Sequence, residues 1–276
     1  MSMDIVYLDG AFMPADAARI SPRDRGFRFG DGIFETIPFY RSAPYQWGFH
    51  LGRLEEGLEA LQISVAVDWR EIADQLIAKN KRQDGFVRIA VSRGVGSRGY
   101  RPLASAEPTI FSEVIPRSEA PGEASLWLSD WRKPALACLP QAKLAHGINS
   151  TLALLQAETH GCDEALLLTP EGMLCEAASG NVFWIKDDAL YTPELSTGCL
   201  KGATRHAIIR LHAAAVHRVS APLEVLEGAE AVFLSNCNWG ILPASELQPL
   251  GWQWSVSHSL IDQLRAAYKA DIDASV

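Results

Sequence analysis

Between Pro116 and Glu123 the chain reads PRSEAPGE, two prolines and a glycine among mixed charges, with alanine as the one apolar residue type. Such a stretch extends neither a helix nor a central strand, because proline lacks the amide donor and fixes its own backbone angle. It predicts a break between two folded parts. The total length, 276 residues, suits one large domain or two modest ones at roughly 100–200 residues each. The boundaries expected are an N-terminal domain over 1–117, a linker over 118–123 and a C-terminal domain over 124–276.

Short strands and helices alternate on both sides of that break, without repeats or low-complexity tracts. Ile33–Tyr40 is rich in β-branched and aromatic residues and reads as a strand, as do 86–92 and 109–115. Leu51, Leu54, Leu58 and Leu61 recur at helical spacing within Phe49–Ile63. A second helix runs over Trp69–Lys79, with Asp68 as its N-cap. This half is expected to be an antiparallel sheet with helices on one side. Beyond the linker, strands are expected at 126–129, 165–169, 181–186, 216–219 and 231–235, and helices at 151–160, 204–214 and 259–270. The fold class is α/β in the α+β sense, a smaller antiparallel-sheet domain followed by a larger β-rich one.

Hydrophobic residues make up 48% of the chain and charged residues 21%, which supports a packed core and argues against disorder. No apolar run approaches the ~18 residues that cross a bilayer. The opening residues, Met1-Ser2-Met3-Asp4, have neither a basic segment nor an apolar one, so no secretory leader is expected. A net charge of -8 is the wrong sign for a polyanion-binding surface, so no nucleic-acid partner is expected. The five cysteines are odd in number and never form a CxxC pair, which suits reduced thiols in the cytoplasm. His212 and His217 read as surface histidines, and no metal site is expected.

Three local patterns point to an anionic ligand. Arg25-Gly-Phe-Arg-Phe-Gly-Asp-Gly32 places three glycines and two arginines immediately before a strand, and read alone it is a tight turn. Arg53, in His50-Leu-Gly-Arg53-Leu54, either forks onto a phosphate or is a solvated helix charge. Gly198-Cys-Leu-Lys-Gly-Ala-Thr-Arg205 is a glycine-containing loop that runs into a helix, where free N–H groups and the Thr204 hydroxyl suit a phosphate.

Taken in order, these stretches resemble one family. DRGFRFGDGIFET (24–36), FHLGRLEEGLEAL (49–61) and VRIAVSRGVGSRGY (87–100) carry the resemblance in the first half. DEALLLTPEGMLCEAASGNVFWIKDDALYTPEL (163–195), GCLKGATR (198–205) and FLSNCNWGILP (233–243) carry it in the second. The sequence is similar to the class IV pyridoxal-phosphate enzymes of fold type IV, which include branched-chain and D-amino-acid aminotransferases and aminodeoxychorismate lyase.

The resemblance implies a set of roles. Lys143 stands in register with Leu152 and Asp163, and its ε-amine would bond the cofactor aldehyde and then move protons. Lys79, Lys81, Lys133, Lys186, Lys201 and Lys269 do not share that register. Glu176, in CEAASGNVF, would pair with the pyridine nitrogen, and Asn181 would fix the local turn or hydrogen-bond near the ring. The phosphate would be held by Arg53, by the loop containing Leu200, Ala203 and Thr204, and by Ser235, Asn236 and Cys237. Relatives carry an Asn and a Tyr or Arg soon after the lysine, whereas this chain has Lys143-Leu-Ala-His146-Gly-Ile-Asn149, leaving His146 or Asn149 for the ring hydroxyl.

Within the family, SRGVGSRGY (92–100) and Thr36 lean toward aminodeoxychorismate lyase, which releases pyruvate and leaves 4-aminobenzoate, a folate precursor. Arg98, with Arg28 or Arg101 and beside Phe34, would bind the substrate carboxylates. Arg98 also falls where D-amino-acid aminotransferases keep a carboxylate-binding arginine, so transfer to a 2-keto acid is the alternative reaction. A third reading is a paralogue that keeps the fold and binds another ligand or partner. The family further implies a homodimer with the cofactor at the domain cleft, the 95–102 loop completing the partner's site.

Overall fold

A computed structural model describes residues 4–103, 106–134 and 142–276, divided between two compact units. One runs through Ser118 and takes up the chain again for the short stretch ending at His146. The other begins at Glu119 and resumes at Gly147.

In the first unit the strands are β1 (Ile5–Leu8), β2 (Ala11–Pro14), β3 (Gly32–Tyr40), β4 (Ala43–Pro44), β5 (Gly85–Ser92) and β6 (Thr109–Ile115). They form one antiparallel sheet in the order β2-β1-β6-β5-β3-β4. The helices are α1 (Arg25–Phe29), α2 (Trp47–Ala60) and α3 (Trp69–Asn80). Leu54 and Leu58 of α2 and Ile72, Leu76 and Ile77 of α3 pack on Ile33, Ile37 and Phe39 of β3 and on Val87, Ile89 and Val91 of β5. The period of two along β3 therefore sends its odd-numbered residues to the helices and its even-numbered residues to the other face. Asp68 caps α3 as expected, accepting from the amides of Arg70 and Glu71. The Arg25–Gly32 stretch departs from a simple turn: Asp24 caps a short helix, and Gly30 closes it in the left-handed region at φ 64.

The second unit contains β7 (Ala124–Arg132), β8 (Glu164–Leu168), β9 (Leu174–Ala177), β10 (Asn181–Lys186), β11 (Ala189–Pro193), β12 (Val216–Val219), β13 (Ala231–Asn236), β14 (Gly240–Gln248) and β15 (Trp252–Gln253). Its helices are α4 (Ile148–Thr159), α5 (Ala203–Leu211) and α6 (Ser259–Ser275). The sheet order is β12-β11-β10-β13-β14-β7-β8-β9, with β15 beside β14. Pairings are parallel at β11/β12, β14/β7 and β7/β8 and antiparallel elsewhere. The central strands are apolar on both faces because both are covered. Val182, Trp184, Val232 and Leu234 line one core, while Phe183, Ile185 and Phe233 meet Ile208 of α5 and Leu264 of α6 on the other. Helix α5 stops at Leu211, short of the expected Ala214, because His212 turns extended toward β12, which pairs with β11. Cys162, Cys175, Cys199 and Cys237 are free thiols, and Cys138 lies outside the described residues.

One residue on the helix-facing side of β3 breaks the apolar pattern. Glu35 is fully buried, and its carboxylate accepts from Arg53 Nε at 2.6 Å and Arg53 Nη2 at 2.6 Å. His50 Nδ1 lies 2.8 Å from the second oxygen. Burial pushes this carboxyl up, but the Arg53 charge and the His50 hydrogen bond outweigh it and hold the group at about 2, from 4.5. The stability it contributes is thus fully present above about pH 4.5 and is lost as pH falls toward about 2. Replacing Glu35 by Gln strands a buried guanidinium and should destabilise the fold by about 3–5 kcal/mol at neutral pH. Urea unfolding of wild type and Glu35→Gln should show that gap narrowing steadily below about pH 4. A gap of constant size down to the acid unfolding limit would dismiss the linkage.

Candidate active site

In the first unit, Lys143 is tied to β3 by its backbone. The Phe34 amide donates to Lys143 O at 2.9 Å, the Ala145 amide donates to Gly32 O at 2.9 Å, and Ile33 bridges Leu144. The Lys143 ammonium sits 4.7 Å from the centre of the Phe34 ring, which places it on the face opposite the helices. Thr36 shares that face by strand alternation, and Arg88 of β5 stands directly across from Thr36. The Arg88 guanidinium lies 4.9 Å over the same Phe34 ring, and Glu113 of β6 is its neighbour in register. Burial pushes the Glu113 carboxyl up while Arg88 pulls it down. This face brings Lys143, Thr36 and Phe34 together as expected and adds Arg88, which the strand reading of VRI absorbed without assigning it a role.

Arg53 has Nε and Nη2 on Glu35, on the helix-covered side of β3. His146 packs beside Gly30, where a Cβ on the glycine would come within 2.9 Å of the His146 Cβ.

The loop that follows β5 is strapped to α1. Arg25 is buried, with Nε on Asp31 at 2.6 Å, Nη1 on Gly99 O at 3.0 Å and Nη2 on Tyr100 O at 2.8 Å. Its side chain passes under Gly96, where a Cβ would stand 2.5 Å from Arg25 Cδ. Asp31 also accepts from Arg93; burial raises its carboxyl, and Arg93 and Arg25 together bring it below the usual range. The strap leaves Arg98 and Arg28 exposed, with Arg28 Nη1 at 3.5 Å from Ser97 O.

In the second unit Glu176 of β9 anchors a cradle. One carboxylate oxygen lies 2.6 Å from Lys133 Nζ. The other accepts from the Leu200 amide at 2.8 Å and from Asn181 Nδ2 at 3.4 Å, and the same Nδ2 donates to Leu200 O at 2.8 Å. Gly202 is held tightly against Asn181, since a Cβ there would approach Asn181 Oδ1 to 2.1 Å. Gly202 also stands at the N-cap of α5 without any side-chain cap, so the first amides of that helix meet no side-chain acceptor from the cap residue. Thr204 Oγ1 lies 3.4 Å from Tyr268 OH and 3.9 Å from Cys237 Sγ. Ser235, paired with Asn181 across β13/β10, has a buried Oγ with no hydrogen-bond partner among the described residues. An uncapped helix start, a nearby threonine hydroxyl and a buried unpaired serine hydroxyl are a donor set that fits a phosphate.

Other expected contacts are already committed. Asn236 uses its amide to close a turn, accepting from Asn238 and Trp239 amides and donating to Ser179 O at 3.1 Å. Asn149 Nδ2 donates to Arg132 O at 2.8 Å. Two further residues were not singled out from sequence. Lys133 carries no motif at all, and Glu164 lies one residue before the strand expected at 165–169. Glu164 is buried, accepts the Ser179 hydroxyl and its neighbour's amide, and is pushed up by burial beyond what those bonds restore. It thereby fixes the turn between Glu176 and Asn181.

The family described as amino-transferase class IV matches residues 32–247. A provisionally named branched-chain-amino-acid aminotransferase of Methanocaldococcus jannaschii is 32% identical over 88% of this chain and 87% of its own length. The aminodeoxychorismate lyase of Bacillus subtilis is 30% identical over 97% of this chain and 94% of its own. The crystal structure of the Escherichia coli branched-chain amino acid aminotransferase superposes with a TM-score of 0.91 at 22% identity, covering 100% of this chain and 96% of that one. By its family match, its relatives and its fold, this chain belongs to the class IV aminotransferases, pyridoxal-phosphate-dependent enzymes of fold type IV.

Proposed function

We propose that the enzyme splits 4-amino-4-deoxychorismate into 4-aminobenzoate and pyruvate, a step toward folate. The observation that carries this reading is the shared face of β3, where Thr36 lies on the same side of the strand as Phe34, whose ring meets the Lys143 ammonium. A hydroxyl on the same face as the amine would give the proton taken from the substrate a second group to move through. The Bacillus subtilis lyase, matched over nearly the whole chain, supports the same reaction. Transfer of the amino group from branched-chain or D-amino acids to a 2-keto acid is the second reading, favoured by the 32% identity to the archaeal aminotransferase.

Pyridoxal phosphate supplies an aldehyde for the amine and a ring that draws off electrons when its nitrogen is protonated. The chain's residues divide the remaining work. Lys143 supplies the amine and moves the proton. Glu176 holds the proton on the ring nitrogen, with Asn181 steadying the carboxylate. The amides of Ala203 and Thr204, with the Thr204 and Ser235 hydroxyls, hold the phosphate oxygens, and Arg53 contributes charge. Arg98 and Arg28, set in place by the Arg25 strap, bind the substrate carboxylates.

The exposed aromatics Phe27 (80%) on α1 and Tyr100 (84%) on the loop strapped to it support a second copy covering this surface and drawing the 95–102 loop into its own site. Four free thiols among the described residues suit a reducing compartment such as the cytoplasm.

Incubating the purified enzyme with aminodeoxychorismate, and separately with amino acids plus a keto acid, distinguishes the two reactions. Pyruvate with 4-aminobenzoate is the expected product; keto-acid exchange without it would establish the second reading. Lys143→Ala should abolish turnover while retaining weak cofactor binding, and borohydride should label Lys143 in the wild type alone. Near-normal turnover in that variant would remove Lys143 from the chemistry. Arg98→Ala should raise KM for carboxylate substrates about ten- to a hundredfold with cofactor affinity unchanged, and Arg98→Lys should recover little of it. Unchanged KM in both variants would make Arg98 an exposed loop charge.

A further inference from the structure

Glu176 is only 6% exposed, and a polar group at that depth is costly unless it is paired or hydrogen-bonded. Among the described residues its ion-pair partner is Lys133, with Nζ 2.6 Å from Oε1. The lysine follows the last residue of β7, and its own amide donates to Leu168 O of β8 at 2.8 Å. Strand β8 in turn pairs with β9 through Leu167 and Glu176. Lys133 is thus held by the strand that also positions the carboxylate. Burial alone would push the ammonium toward neutrality, but the Glu176 charge overrides it and raises the group, so Lys133 keeps its proton.

The surrounding charges leave this pairing undisturbed. Cys175 and Cys199 face the same carboxylate, and burial pushes both thiols up, Cys199 to about 11, so both are neutral at physiological pH. Arg205 also feels Glu176, but its Nη2 donates to Pro193 O at 2.8 Å. Oε2 of Glu176 is turned the other way, onto the Leu200 amide and Asn181.

We propose that Lys133 is a positioning residue for the cofactor ring: its ammonium orients the Glu176 carboxylate and shares that negative charge with the ring nitrogen. This rests on Glu176 being the partner of the ring nitrogen. The sharing has a definite sign. A permanent cation behind the carboxylate lowers the proton affinity of every basic nitrogen electrostatically linked to it, including the nitrogen joined to the cofactor. Removing that cation should therefore move the pH midpoint of the cofactor's visible absorption band upward.

The test uses the full-length holoenzyme and three variants, Lys133→Met, Lys133→Gln and Lys133→Arg. The midpoint of the visible band should rise by on the order of one pH unit in the Met and Gln variants. Their cofactor dissociation constants, measured by reconstituting the apoprotein, should rise about tenfold. Lys133→Arg should restore both quantities, and borohydride should still label Lys143 in all three. A merely structural lysine would lower the melting temperature without moving the midpoint. Folded Met or Gln variants with wild-type midpoint and affinity overturn the proposal, and Gln serves if Met does not fold. Glu176→Gln separates the two readings: if it shifts the band while Lys133 variants do not, Lys133 alone fails. If Glu176→Gln leaves band and affinity untouched, Glu176 does not meet the ring nitrogen and the proposal falls with it.

Discussion

The pairing of Glu35 with Arg53 and His50 governs what β3 can present on its other side. A carboxylate placed among Ile33, Ile37 and Phe39 would be intolerable in an apolar layer without these partners, and all three groups are buried. Because the interaction is bidentate, it sets the orientation of α2 against the strand as well as their separation. Phe34 and Thr36 flank Glu35 in sequence and so point the opposite way, toward Lys143. A one-residue slip of β3 would exchange these two populations, placing the carboxylate with the Lys143 amine and Thr36 in the core. The buried ion pair makes that slip prohibitively costly, so a core interaction maintains the identity of an exposed face.

The second unit solves a different problem with less secondary structure. Its clustered polar groups lie at strand ends and in turns: Glu176 near the end of β9, Asn181 at the start of β10, Ser235 near the end of β13 and Thr204 at the start of α5. Glycines at 180 and 202 allow these ends to converge, each where a Cβ would collide with a neighbouring oxygen. Glu164 underlies the turn between Glu176 and Asn181 through Ser179, so a second buried carboxylate supports the first. The sheet beneath is apolar on both faces, which keeps this polar edge the part of the layer able to engage an anion.

Much of this was legible from the residues alone. Asn181–Lys186, Val216–Val219 and Thr109–Ile115 form strands with the bounds their β-branched and aromatic content suggests, because buried strands of that composition have few alternatives. The cap at Asp68 was equally direct. What escaped was long-range. One such contact is the pairing of Arg53 with Glu35, which takes two of its nitrogens and which nothing local reveals. Lys133 meets Glu176 only because β7, β8 and β9 lie side by side, an adjacency that pattern and propensity do not encode. Strand β14 escaped for a local reason: its glycine and proline and the absence of alternation in GILPASELQ mask a segment held by neighbours on both sides.

The Arg25 strap makes the 94–101 segment a rigid mount with exchangeable tips. Its backbone is pinned from below by a guanidinium reaching Gly99 O and Tyr100 O, and Gly96 cannot acquire a side chain without displacing that arginine. Ser97 and Arg98, by contrast, are exposed, with the Ser97 hydroxyl donating to Arg101 O at 3.5 Å. Change is therefore cheap at the outward positions and expensive at the pinned ones. On the proposed reading, in which Arg98 meets the substrate, one or two outward side chains on a constant loop would set the substrate range. A library confined to positions 97 and 98, with 25, 96 and 99 left alone, samples that variation without asking the loop to refold.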